Sequence, residues 1–263
     1  ATPAATSNYT ITGTDVNGCV NTATAVVTVA AQPTVTVTSP TICIGGSGSM
    51  TAAGASTYSW TGGTTPTTGA TVSASPAATS TYTVTGSIGT CTSTATATIT
   101  VNPLPTITVN SPTICIGATA SITAAGGSTY SWSAGTTPST GATVSTTPAA
   151  TTSYTVTGTD ANGCVGTGTI AVVVNPLPVV TVNSSSICFS QATATLTASG
   201  ATNYTWTPGV TPTNAAVVTA SPASTGSYTV TGTDVNGCTD TSVATITVFP
   251  LPVVSVNSPS ICP

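Results

Sequence analysis

Along much of this chain an apolar residue stands at every second position. Residues 120–125 read ASITAA and residues 152–159 read TSYTVTGT. A period of two belongs to a strand with one face buried and the other wet. Threonine suits the wet face, because it is β-branched yet polar. Between residues 103 and 175 the runs TITVN, TASITAA, TYSWSA, ATVST, SYTVTGT and CVGTGTIAVVV are predicted strands. Gly, Pro and Asn clusters separate them. Asp160-Ala161-Asn162-Gly163 reads as a hairpin turn, since Asn-Gly tolerates positive φ. No segment shows the helical period. Six or seven short strands in about 73 residues predict a small two-sheet sandwich.

The pattern repeats. Cysteines stand at 19, 43, 91, 115, 164, 188, 238 and 262, two per unit, with a period of 72 to 74 residues. Tyr-x-Trp recurs at Tyr58/Trp60, Tyr130/Trp132 and Tyr204/Trp206. Tyr9, Tyr82, Tyr154 and Tyr228 each open a Tyr-Thr-(Val/Ile)-Thr-Gly strand, and Pro-Leu-Pro returns at 103–105, 176–178 and 250–252. Such self-similarity marks a tandem array. The predicted domains are 33–102, 103–175 and 176–249. Residues 1–32 match the last third of a unit and 250–263 the first strand of another, so the chain is expected to be part of a longer array. The proline-rich junctions favour extended backbone and predict stiff spacers.

Composition narrows the function. The 263 residues include no Lys, Arg or His, and only four acids: Asp15, Asp160, Asp234 and Asp240. Without cations the surface cannot grip phosphate, which argues against nucleic acid as a partner. Without His or Lys to serve as a base, no Ser or Thr nucleophile can be activated, so no enzyme is expected. At 39% hydrophobic residues the chain is packed rather than disordered. It lacks the long apolar run of a membrane span.

Particular residues carry a resemblance. Cys43-Ile44-Gly45, Tyr58-Ser59-Trp60, Tyr82-Thr83-Val84 and Gly89-Thr90-Cys91 form one set. Cys115-Ile116-Gly117, Tyr130-Ser131-Trp132, Tyr154-Thr155-Val156 and Asn162-Gly163-Cys164 form the next. In the third unit Cys188-Phe189-Ser190 departs at the glycine. The chain resembles the bacterial Ig-like and PKD-like tandem repeats of large secreted cell-surface proteins, along its whole length. The resemblance implies an all-β fold, a tandem array of Ig-like β-sandwich domains. It implies an extracellular, cell-surface setting as stalk, adhesin arm or enzyme appendage.

Candidate residues take their expected roles from that frame. Trp60, Trp132 and Trp206, with Tyr82, Tyr154 and Tyr228, are expected in the cores, the tyrosines in a place that resembles the tyrosine corner. The alternative is a carbohydrate-stacking platform, making the chain a carbohydrate-binding array. The four Asp are expected to form turns; Asp234 with Asp240 is the only pair that approaches a weak calcium site, and no cofactor is expected. The secreted resemblance makes disulfides the expected use of the cysteines. The first pairing is Cys43–Cys91, Cys115–Cys164 and Cys188–Cys238, with Cys19 and Cys262 paired outside the sequence. Two others stay open: Cys43–Cys164, reaching the next unit's hairpin, and a Cys19–Cys43 closure around the proline-rich corner. Asn8, Asn183 and Asn203 head glycosylation sequons. The expected partners are neighbouring repeats, glycans and copies of the chain itself in a fibre, because low charge and Thr-rich edges favour association.

Overall fold

A computed structural model describes residues 2–190 and 193–261. It is all-β, a tandem series of Ig-like sandwiches preceded by a hairpin of β1 (Ser7–Thr14) and β2 (Val20–Val27). The first sandwich holds β3 (Thr36–Val37), β4 (Thr41–Cys43), β5 (Gly48–Ala53), β6 (Thr57–Trp60), β7 (Thr71–Ala74), β8 (Ser80–Ile88) and β9 (Cys91–Asn102). The second holds β10 (Thr108–Val109), β11 (Thr113–Cys115), β12 (Ala120–Ala125), β13 (Thr129–Trp132), β14 (Thr143–Thr146), β15 (Thr152–Thr159) and β16 (Val165–Asn175). The third holds β17 (Thr181–Val182), β18 (Ser185–Cys188), β19 (Ala194–Ser199), β20 (Asn203–Trp206), β21 (Val217–Ala220), β22 (Gly226–Thr233) and β23 (Thr239–Phe249). Each sandwich sets a three-stranded sheet, β3-β5-β7 in the first, against a four-stranded one, β4-β9-β8-β6. The described residues fall into two compact units, one drawn from 2–105 and 159–166, the other from 106–158, 167–190 and 193–261.

Burial follows the alternation in the sequence. In β12, Ala120, Ile122 and Ala124 are buried while Ser121, Thr123 and Ala125 face out. Ile122 shares a core with Val144, its cross-strand neighbour in the same sheet, and with Val156, Val172 and Trp132 of the facing four-stranded sheet. Removing such an aliphatic side chain from water stabilises the fold by about 1.5–3 kcal/mol. Trp60, Trp132 and Trp206 are 5–6% exposed. Each indole N–H donates to a carbonyl nine residues on, at 2.9 Å from Gly69, Gly141 and Ala215 respectively. Tyr82, Tyr154 and Tyr228 are buried too. They do not make the corner. That bond belongs to the half-buried Tyr58, Tyr130 and Tyr204. The Tyr130 hydroxyl accepts the Gly127 N–H and donates to the Gly127 carbonyl, both at 2.8 Å. The Tyr154 hydroxyl instead meets Thr146 Oγ1 at 2.6 Å inside the core.

The opening strand of each unit is two strands, not one. β10 pairs antiparallel with β12. The chain then breaks at Ser111-Pro112, and β11 crosses to the other sheet to run parallel with β16, Cys115 opposite Asn175. Proline has no N–H, so pairing starts after it. Ser185 holds the third unit's equivalent place, and β18 accordingly begins one residue earlier, at Ser185. Ser190, where the other units have glycine, takes φ +63° and keeps the turn.

One core position is unfinished. Thr64 is 4% exposed and its hydroxyl has no hydrogen-bond partner. The equivalent residue of the third unit is Val210, equally buried. An unmade hydrogen bond inside a core costs about 1–3 kcal/mol. Thr64→Val is therefore expected to stabilise the first sandwich by about 1 kcal/mol, read as a raised urea midpoint at constant slope. An unchanged or lowered midpoint would show that the hydroxyl is solvated.

Candidate functional site: the cysteine clasps

The crossing strand decides where each first cysteine goes. Cys43 ends β4 opposite Asn102, the last residue of β9. Cys91 is the first residue of that 12-residue strand. At 3.3 Å per residue the two thiols stand about 36 Å apart, whereas bonded Cα atoms lie within about 7 Å. The third unit repeats the geometry: Cys188 pairs with Phe249 at the far end of β23, and Cys238 immediately precedes its start. The within-unit pairings Cys43–Cys91, Cys115–Cys164 and Cys188–Cys238 are therefore wrong. The bonds are Cys43–Cys164 and Cys115–Cys238, with Cα separations of 5.5 and 5.6 Å. Each joins the crossing strand of one repeat to the hairpin of the next. The Cys19–Cys43 closure is excluded with them. Cys19, Cys91 and Cys188 are free. Cys262 lies outside the described residues.

The hairpin partner is built by its own aspartate. In the loop Asp234-Val235-Asn236-Gly237-Cys238, the Asp234 carboxylate oxygen accepts the N–H of Asn236 and of Cys238, both at 2.8 Å. Asp234 N–H donates to Cys238 O at 2.9 Å, and Gly237 takes φ +81° so that its N–H reaches Asp234 O. Asp160 holds Cys164 by the same bonds. So does Asp15 with Cys19. The aspartates thus fix the cysteine four residues on. The signal was present in the sequence as the recurring Asp-x-Asn-Gly-Cys. The remaining acid, Asp240, accepts the Thr241 N–H from within β23. Among the described residues no group of three His, Cys, Asp or Glu side chains gathers as for a metal ion.

The first unit's hairpin departs from this plan. Ile88 pairs directly with Cys91, leaving a two-residue turn without aspartate. Cys91 Sγ lies 3.7 Å from the carbonyl of Ala30. The sequon residues are dispersed. Asn8 and Asn203 are exposed on β1 and β20. The Asn183 amide donates to Thr195 O at 3.2 Å and accepts the Thr197 N–H. No described helix is long and apolar enough to cross a membrane.

No protein-family model and no curated protein sequence matches the chain. Solved structures do. A calcium-stabilised adhesin with which an Antarctic bacterium reaches out and binds ice aligns at TM-score 0.40 and 15% identity, covering 92% of this chain and 81% of that one. A structure from a 1.5-MDa bacterial ice-binding adhesin, studied for its host cell surface retention, aligns at 0.34 and 18%, covering 84% and 99%. The eight N-terminal Ig domains of Down Syndrome Cell Adhesion Molecule align at 0.34 and 14%, covering 92% and 43%.

Proposed function

We propose that this chain is a structural segment of a bacterial extracellular surface protein, serving as a disulfide-clasped stalk or as the body of an adhesive fibre. One observation carries the reading: both disulfides join consecutive repeats rather than closing single ones. A bond within one domain stabilises that domain. A bond from strand to next hairpin instead passes tension between neighbours, which is what a load-bearing array needs. Disulfides persist in oxidising, extracellular surroundings. The absence of Lys, Arg and His supports a structural rather than a catalytic role. The covered indoles of Trp60, Trp132 and Trp206 belong to the cores and offer no platform for sugar. Glycans on the exposed threonines and serines would supply solvation that charges do not.

Single-molecule pulling from residues 1 and 263 tests this. The two clasps span 121 and 123 residues and overlap. At about 3.5 Å per residue, the oxidised chain is expected to reach roughly half the contour length of the reduced one. Equal lengths before and after reduction would remove the load-bearing role.

A further inference from the structure

Resting on that reading, we infer that each clasp is guarded against reduction by its own hairpin: in the folded chain the hairpin sulfur is closed to attack, and the aspartate that builds the loop opposes release of that same sulfur as a leaving group. Both clasps join repeats that the sequence contains in full, Cys43–Cys164 the first and second sandwiches and Cys115–Cys238 the second and third. Three observations carry the inference.

First, the two sulfurs of each bond differ in exposure. Cys164 is 0% exposed and Cys238 1%, whereas their partners Cys43 and Cys115 are half-buried. A thiolate opens a disulfide by attacking one sulfur and expelling the other, so access to each sulfur sets the route. The hairpin sulfurs are shut away from solvent. Attack on the folded chain therefore falls on Cys43 or Cys115.

Second, that route expels the hairpin sulfur as a thiolate. The group is released where water does not reach it. Burial disfavours the charged form, and a thiolate that is costly to form leaves slowly.

Third, a carboxylate is fixed beside it. Asp160 Oδ1 accepts the Cys164 N–H at 2.8 Å, and Asp234 Oδ1 accepts the Cys238 N–H at 2.8 Å. Each negative charge is held against the backbone that carries the leaving sulfur. A like charge there disfavours the thiolate further. The 263 residues include no Lys, Arg or His side chain to offset it. The loops differ at Ala161 and Val235 yet share this arrangement, so it follows the aspartate.

In reduction by a dithiol, one thiolate bonds to Cys43 Sγ as the Cys43–Cys164 bond breaks, and Cys164 takes the electron pair. The reductant's second thiolate then attacks its own sulfur in the mixed disulfide and releases Cys43. The clasp gains two electrons and two protons, and the reductant becomes a cyclic disulfide. A closed repeat thus keeps its bond when reductant passes, and only an opened hairpin exposes the second sulfur.

The test treats the 263-residue chain with dithiothreitol at fixed pH, alkylates the released thiols and times each bond by mass spectrometry of the peptides carrying Cys164 and Cys238. Both bonds are expected to open about 100-fold more slowly than that of oxidised glutathione in the same solution. Asp160→Asn keeps an oxygen to accept the two N–H groups but removes the charge. It should speed reduction of Cys43–Cys164 about 3- to 10-fold, leave Cys115–Cys238 in the same molecule unchanged, and keep the Cys164 N–H protected from hydrogen exchange. Asp234→Asn should do the reverse. The comparison with oxidised glutathione needs no variant. Reduction as fast as oxidised glutathione's, no effect of either substitution, or an acceleration that comes with lost protection would overturn the inference. If the pulling experiment still finds the clasps, only this inference falls and the structural reading stands.

Discussion

Gly126→Ala is expected to lower the stability of the second sandwich by about 4 kcal/mol, a large part of what holds a domain of this size. Gly126 follows β12 with φ +98°, in the left-handed region that other residues enter at a cost of about 1–2 kcal/mol. Conformation is the smaller part. A Cβ there would lie 2.0 Å from the carbonyl oxygen of Thr106 and 3.1 Å from its carbon. Both are backbone atoms and cannot turn aside. Relief would drag residues 106–107, and with them Ile107, a core member. The same approach recurs in the other units: Gly54 faces the Thr34 carbonyl oxygen at 1.9 Å, and Gly200 that of Val179 at 1.8 Å. Gly117 is the control. Its φ is +84°, but nothing lies within 4 Å of its would-be Cβ. Gly117→Ala should therefore cost only the conformational part, about 1–2 kcal/mol. Urea unfolding of both variants measures the difference; equal losses would show that the carbonyl contact yields.

That glycine marks where the sequence stops being readable. The alternation of ASITAA and SYTVTGT predicted β12 and β15, because burial of one face is a local property. The close approach at Gly126 is not local, since its contact lies twenty residues upstream in the chain. The splitting of the first strand is similar. Ser111-Pro112 signals a break, but only the sheet shows that β11 leaves one layer for the other. From that crossing the disulfides follow. In a repeat, a first cysteine meets equally good partners at every hairpin by sequence. The parallel register of Cys43 with Asn102 then places it a full strand length from Cys91 and beside the next unit. The Asp15, Asp160 and Asp234 loops were legible as turns, but their task of holding a cysteine needed the hydrogen bonds.

The double variant Cys115→Ser/Cys238→Ser is expected to destabilise the 106–158/167–263 unit by about 3–5 kcal/mol and to change how it unfolds. Closing a loop of more than a hundred residues restricts the unfolded chain by about 4.7 kcal/mol in the chain-entropy argument. That full value applies only if everything inside the loop unfolds together. Two separate cores lie along it, one around Ile122 and Val156, the other around Leu196 and Val230. In an array of this kind, stability is the sum of each repeat and its coupling to neighbours. The clasp is a covalent part of that coupling. With it intact, unfolding of the third sandwich leaves its Cys238 hairpin tethered to β11, so refolding competes strongly. Without it, the two sandwiches should melt separately, and a single calorimetric transition should broaden or split. Cys188→Ser is the matching control, because Cys188 is unbonded within the chain. It should leave the transition unchanged. If the double variant melts like the parent, the Cys115–Cys238 clasp carries tension without adding stability, and the coupling resides in packing alone.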